Sequence, residues 1–524
     1  MQRKQLVLTS LLLLVSGVRA EATTRTVKAG GGGDFTTIAA CVTAMSSSGG
    51  DTCAVFAGTY NETPNIKAGT VGNYNVLTVN PGDTVKILGA IVNSHTKVNG
   101  FTIQNTSNPF AGQCVRIALS ATDAFITNNS MSQCGGQGAT EPGMIVSSRN
   151  GTAGGAFFIY IQGNTLTHGC SLLGVNDVCE SISIDGDHFL IEGNDLSHND
   201  DSIEFYASHV IARNNTFHDI DEAECNSASH GSNCHPDIFE TEPNFGAGIT
   251  HNSQHALFEG NTVKHMKGAN AHIFLYQGDA CGAAGNCVHA INRFNLFNDI
   301  NVYMLNDLAS FNYVKTYNDT QTPSVGTNLS SGCCNWSGAT PGTPAVINAL
   351  WYQYGTFSST NWLYPSGSIV NHNNLINPST SPFVDLTSNW ALAPGSAAIG
   401  AGGSLTTAVG SGSSSSNLTL ADAYYFQDGW GFPNGTGLGQ VSPDWIRIGP
   451  STTVQIANGG INYASGVITL ASPVSWNNGA PIYLYKNSRG VVVLNGANPD
   501  LGAVPSGSSP LPPNPPTSLL AVIQ

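Results

Sequence analysis

The stretch HFLIEGNDLSHN, residues 188–199, recurs in altered form along the chain: FFIYIQGNTLTH (157–168) before it, then HVIARNNTFHDI (209–220), HALFEGNTVKHM (255–266) and HAINRFNLFNDI (289–300). Each phrase sets a short alternating apolar run before a bend rich in Gly and Asn, with a second short run after it. Asn194 and Asn215 are 21 residues apart, and Asn215 and Asn261 are 46 apart with a Cys-bearing insertion between them. Strands this short cannot each bury an apolar face alone, whereas stacking successive turns of chain buries a continuous core. The helical period is weak and strong helix formers are scarce, and the bends carry Asn, which tolerates left-handed backbone and bonds locally. Few Asn-Gly or Asp-Gly hairpin signals join neighbouring runs, which disfavours an antiparallel sandwich. The pattern predicts an all-β solenoid of parallel strands.

The opening TVKAGGGGDFTTIAACVTAMSSSGGDTCAVFAGTY, residues 26–60, resembles the start of right-handed parallel β-helix proteins of the pectate-lyase-like superfamily. The resemblance implies a short amphipathic helix around Ile38–Met45 that covers the open end of the solenoid, an edge that otherwise invites unwanted pairing. NWALAPGSAAIGAG (389–402) is similar to the loop that closes the last coils in that superfamily, and NPDLGA (498–503) to a terminal phrase of such chains. The expected fold class is a right-handed parallel β-helix with an N-terminal capping helix and a C-terminal β-rich segment. The expected divisions are a signal peptide over 1–20, the β-helix over 25–402, a Gly/Ser-rich connection over 403–418, a β-rich segment over 419–506 and a Pro-rich tail over 507–524. Within the β-rich segment, Tyr424, Tyr425, Trp430 and Trp445 are candidates for stacking sugars, though core packing is the stronger expectation.

The chain has 524 residues, with 33 acidic against 18 basic side chains and 12 cysteines. MQRKQLVLTSLLLLVSGVRA has basic residues, an apolar run and small residues ending at Ala20, the form of a secretory signal peptide. No later segment has the apolar length of a membrane span. An even cysteine count in an exported chain favours disulfides over metal thiolates. Sequence neighbours suggest Cys41/Cys53, Cys114/Cys134, Cys170/Cys179, Cys225/Cys234, Cys281/Cys287 and Cys333/Cys334, as staples on protruding loops. A net charge of −15 disfavours nucleic acid, whose backbone demands a basic footprint. A secreted monomer acting on an extracellular polysaccharide is the expectation.

Aligning the coils places ESISIDG (180–186) over DSIEFYA (201–207), then PDIFETE (236–242), AHIFLYQ (271–277) and NVYMLND (301–307). In that register an outward ladder runs Ser202, Asp237, His272, Asn301; a second runs Glu204, Phe239, Phe274, Tyr303; a third runs Tyr206, Thr241, Tyr276. The exposed rings are expected to meet sugar, or to pack under the Cys-bearing insertions. Glu180, Asp200, Asp201 and Asp237, with His235 and His272, are the candidate catalytic set, because close carboxylates raise one another's proton affinity and divide acid and base roles. Glu204, Tyr206, Arg213, Phe239, Phe274, Tyr276 and Tyr303 are the candidate substrate-binding set.

NDDSIEF, with Asp200 and Asp201, resembles the Asp-Asp phrase of polygalacturonase-like glycoside hydrolases. Glu180 stands in the region of that family's first aspartate, with Asp177 as a rival, and ASHGSNCHPD offers His230 or His235 for its histidine. The Asn-Thr-Asp, Gly-His-Gly and Arg-x-Lys phrases of the family have no full match. A glycoside hydrolase is the leading expectation, and a Ca²⁺-assisted uronate lyase or a non-catalytic glycan-binding protein the alternatives. No obligatory cofactor is expected, although Asp200, Asp201, Glu204, Asp237 and Glu240 carry oxygens of the kind Ca²⁺ takes. His188, His209, His255 and His289 read as a stack at one bend and not as a zinc motif. Glu192, Arg213, Glu259 and Arg293 read as cross-strand pairs on a solvated face, with Arg213 also a candidate for an acidic sugar.

Overall fold

The computed structural model describes residues 22–105, 112–135, 143–147, 155–169, 180–221, 236–241, 254–276, 289–307, 313–322, 334–336, 345–352, 363–365, 370–386 and 389–506; for 269–270, 275–276, 301–307, 334–336 and 363–365 it describes the backbone alone. The strands pair in parallel from one turn of chain to the next, so the solenoid is a right-handed parallel β-helix with three sheets. One sheet, here the acidic sheet, stacks Ile145–Ser147, the first half of Ile182–Glu192, the first half of Ile203–Arg213, and Asp237–Thr241. A second, the barrel-side sheet, stacks Thr122–Thr127, Ala156–Gln162, the second halves of those two long strands, Ala256–Glu259 and His289–Arg293. The third stacks the short strands after each Asn bend, such as Thr165–Thr167, Asp195–Ser197 and Thr216–Asp221.

The bend between the barrel-side and third sheets explains why Asn recurs. Asn129, Asn164, Asn194, Asn215, Asn261 and Asn295 stack in one buried column, each backbone N–H donating at 2.7–3.0 Å to the side-chain oxygen of the next. Each amide nitrogen also donates to a carbonyl of the preceding coil, as Asn295 does to Phe258. A buried turn leaves these groups without water, and each bond contributes about 0.5–1.5 kcal/mol net. The column ends in Asp319, whose Oδ1 accepts from Asn295 and whose carboxyl is pushed up to about 8 by burial.

Helix Ile38–Ala44 begins at Thr37, whose hydroxyl accepts from the Ala40 N–H, and buries Ile38, Cys41 and Val42 over the end of the solenoid. Disulfides Cys41–Cys53 and Cys114–Cys134 form as the sequence suggests, yet they lie fully buried in the core and not on protruding loops. Residues 1–20 and the other paired cysteines fall outside the described residues, save Cys334, of which the backbone alone is described. No described helix is long and apolar enough to cross a membrane.

The stretch 403–418 is more than a connection. Thr406–Val409 and Gly412–Leu420 open a closed antiparallel barrel completed by Val467–Trp476, Thr452–Asn462, Trp445–Ile448 and Pro481–Lys486. The barrel packs on the outer face of the barrel-side sheet, where Phe125, Tyr160, Leu190, Ile211, Leu257 and Ile291 form one outward apolar column that joins the barrel core. After the barrel the chain returns to the solenoid: Leu501 packs with Leu350, Leu392 and Ala398, and the Asp500 carboxylate accepts the Gly400 N–H at 2.7 Å. Tyr425 and Trp430 are buried, and Tyr424 stacks on Tyr313 with ring centroids 3.6 Å apart, so these rings build the core and the seam.

The solvated-face reading of the charged column is overturned. Arg213 and Arg293 are buried under the barrel, Arg213 bonding Glu192 at 3.0 Å, the Ser488 carbonyl at 2.9 Å and the Gln440 carbonyl at 2.7 Å. Arg293 bonds Glu259 at 2.6 Å and makes a two-pronged contact to Asp444 at 2.7 and 2.8 Å. Arg213 is therefore committed to the barrel seam and is no ligand for an acidic sugar.

Candidate functional site

The acidic sheet brings the four candidate carboxylates together, by a register different from the expected one. Ile182 pairs with Ile203, so Glu180 lies over Asp201 as expected. On the next coil Ile203 pairs with Phe239 and Glu204 with Glu240, a shift of one residue that sets Asp237 beside Asp201 instead of Ser202. His272 follows under Asp237, and a bulge between Lys267 and His272 sets Tyr303, not Asn301, in line with His272. The observed column is Glu180, Asp201, Asp237, His272.

The same shift turns the proposed aromatic ladder inward. Phe239 and Phe274 are buried core rings, Phe239 packing on Phe205 with centroids 4.5 Å apart, because a one-residue slip moves side chains to the opposite sheet face. They offer no surface to a sugar. Tyr206 is buried too, its hydroxyl donating to Glu204, whose other oxygen accepts from Ser183 at 2.8 Å. Tyr276 and Tyr303 are described by backbone position alone, and His235, Asp177 and His230 lie outside the described residues.

Each member of the column reaches to the next coil. Asp201 Oδ1 accepts the Asp237 backbone N–H at 2.9 Å, and Asp237 Oδ1 accepts the His272 N–H at 2.8 Å while facing the His272 Nδ1 at 2.8 Å. This repeats the logic of the asparagine column with an acid in place of the amide. The cost is electrostatic: burial first, then the charges of Asp200, Glu240, Asp237 and Glu180, push the Asp201 carboxyl well above the usual carboxylate range. Oxygens of Asp201, Asp237 and Glu240 approach within 4.8 Å of one another, close enough for their titrations to be coupled. Asp201 and Asp200 are 5% and 6% exposed and His272 is 9% exposed, so the cluster is gathered but enclosed rather than spread on an open face. Glu240, which the sequence offered only as a possible Ca²⁺ ligand and not among the catalytic candidates, pairs with Glu204 and brings its carboxylate near Asp201.

The Lys and Arg residues between Gly151 and Gly400 are Arg213, Lys264, Lys267, Arg293 and Lys315. Arg213 and Arg293 are held at the barrel seam and Lys315 pairs with Asp422 at 2.7 Å, while Lys264 and Lys267 lie on the third sheet. Carboxylates therefore dominate this part of the molecule.

A family model described as "Protein of unknown function (DUF1565)" matches residues 39–234. No curated protein matches. Among solved structures, a rhamnogalacturonan lyase is similar at 12% identity and TM-score 0.40, covering 69% of this chain and 91% of that one. The tailspike protein of E. coli bacteriophage HK620, in complex with a pentasaccharide, is similar at 9% identity and TM-score 0.37 over 83% of this chain and 80% of its own. The Streptococcus pneumoniae surface protein and adhesin PfbA is similar at 10% identity and TM-score 0.33 over 65% of this chain and 92% of its own.

Proposed function

We propose that this chain is an extracellular polysaccharide-degrading glycoside hydrolase in which Asp201 is the proton donor. The observation that carries the reading is the gathering of buried Asp201 with Asp237 and Glu240, carboxylate oxygens within 4.8 Å of one another, an arrangement that raises the proton affinity of Asp201. A carboxyl whose proton affinity is raised protonates a glycosidic oxygen, and an adjacent carboxylate, Asp237 or Glu240, supports the positive charge that develops at the anomeric carbon. Asp200 and Glu180 sustain the shift, and His272 holds Asp237.

Hydrolysis is favoured over elimination by the shortage of cations. A lyase must offset the enolate that forms beside a uronate carboxyl; Arg116, the cation on the acidic sheet among the described residues, stands three coils before Asp201, and those of the nearer coils lie at the barrel seam or on another sheet. The same negative field favours a neutral glycan over a polyuronate. A second reading, a non-catalytic glycan-binding solenoid, is favoured by the backbone bonds of Asp201 and Asp237, which give both acids a structural task.

Asp201→Asn separates the two, because the amide keeps the oxygen that accepts the Asp237 N–H and cannot donate a catalytic proton. Incubation with neutral and uronate-containing polysaccharides, followed by product mass, is expected to give saturated reducing ends from the wild type and a loss of roughly 10²–10⁴-fold in the variant, with the urea midpoint preserved. Unaltered turnover in that variant removes Asp201 from the chemistry, and unsaturated uronate products reverse the choice of reaction.

A further inference from the structure

The bend that leads into the barrel-side sheet stacks one side chain per coil: Tyr74, His95, Asp123, Phe158, His188, His209, His255, His289, Tyr313. From His95 to His255 these residues hold left-handed backbone with φ of 54–64°, which aims their side chains along one edge. Most of the rings stack face to face, and Trp430, Phe432 and Tyr463 of the barrel segment close over them. Three groups in the middle do something else. His209 Nδ1 lies 2.6 Å from Asp187 Oδ1, and His188 Nδ1 lies 3.0 Å from the same oxygen. The His188 nitrogen is shut off from solvent, with the Asp187 carboxylate as its neighbour.

We propose that Asp187, His188 and His209 form a binding site for a divalent cation of the Zn²⁺ class. Two imidazole nitrogens and one carboxylate oxygen converge from two successive coils, with all three ligand atoms within 4.8 Å of one another. A tetrahedral ion with bonds of about 2.0–2.1 Å needs its ligand atoms about 3.3 Å apart, so a small opening of the present spacing seats it. Imidazole nitrogen with one carboxylate suits Zn²⁺ and its neighbours and is too poor in oxygen for Ca²⁺. The site gives the buried His188 nitrogen a ligand role beside the carboxylate it already faces. Asp187 stays 31% exposed, which leaves the remaining coordination position to water. On the other side His188 meets the barrel: a Cβ at Gly431 would lie 2.9 Å from His188 Nε2, so glycine is required there and the ring is braced in place. An ion at this point ties two coils together beside the barrel seam, away from the acidic sheet.

The test titrates the full-length chain, stripped with chelator, with Zn²⁺ by calorimetry and with Co²⁺ by visible absorbance. Saturable one-to-one binding and Co²⁺ bands of imidazole–carboxylate ligation are expected. Asp187→Asn and His209→Gln are each expected to weaken binding by about tenfold or more. Glu240→Gln, in the acidic cluster, and His218→Gln, in an exposed contact with Asp195 and Asp219, are expected to leave it unchanged. If His209→Gln fails to fold, Asp187→Asn and the Co²⁺ spectrum of the wild type decide. Absence of saturable binding, binding that survives Asp187→Asn, or binding that Glu240→Gln or His218→Gln abolishes overturns the assignment.

Discussion

Two columns of buried charge run along this solenoid, and they are built on opposite principles. Under the barrel, Glu192, Arg213, Glu259, Arg293 and Asp444 alternate in sign, and both guanidinium groups are met by carboxylates or carbonyls. On the acidic sheet, Glu180, Asp201 and Asp237 share one sign, with Asp200 and Glu240 alongside. Burial is nearly complete in both, Glu192 being the partly exposed member. Alternating charge holds a barrel onto a coil; gathered like charge raises proton affinity at some expense in stability. Burial of an acid is thus no guide to its task until the sign of its neighbours is known.

Neutralising substitutions break the comparison most sharply. Glu259→Gln or Arg293→Met leaves buried partners unmatched and is expected to cost about 3–5 kcal/mol, read from the denaturant midpoint. Asp319→Asn completes the asparagine column with the residue it otherwise uses. The folded carboxyl of Asp319, raised to about 8, makes wild-type stability fall as pH rises above the unfolded value near 3.8 and through the folded one. The variant is expected to gain roughly 1–4 kcal/mol at neutral pH and to lose that slope. An unchanged pH profile would show that Asp319 is not the group responsible.

His255 tests the seam from the other direction. Burial first, then the neighbouring His209, lowers its imidazole to about 3, so the neutral form is the stable one. Stability is then present above the unfolded value near 6.5 and is lost as pH falls below it, by about 1–2 kcal/mol at pH ~5. His255→Phe is expected to flatten this acid limb in urea titrations. The smallest effect is that of Asp201→Asn on stability. Its raised carboxyl is a burden that grows as pH rises above the unfolded value, so the amide is expected to leave the neutral-pH midpoint unchanged or slightly higher. A clear fall would place Asp201 with the barrel column after all.

The coil was legible because its signals are local and repeated: Asn bends, Gly/Asn punctuation and alternating runs at coil spacing. The pairing of Glu180 with Asp201 followed from two phrases of matching length. The next step failed because nothing local fixes register across a long insertion, and PDIFETE fits either alignment until Phe239 is seen in the core. The barrel's footprint was present but misread. The triplets Phe189-Leu190-Ile191, Val210-Ile211-Ala212 and Ala256-Leu257-Phe258 are apolar at the outward position as well as the inward ones, the mark of strands covered on both faces. Glu192 and Arg213 looked solvated because charge is ordinarily outside, and only the barrel, far along the chain, reveals their partners.

The return of the chain to the solenoid sets an order of events during synthesis. Gly400 waits for Asp500, 100 residues downstream, and Ala398 for Leu501, with the whole barrel emerging in between. Nascent coils can therefore close from the N-terminal end as they leave the ribosome, while the distal mouth stays unplugged until the last phrase is translated. A premature stop between Asn487 and Asp500 would spare nearly every coil and still release a polypeptide without the Leu501 contact that covers that end.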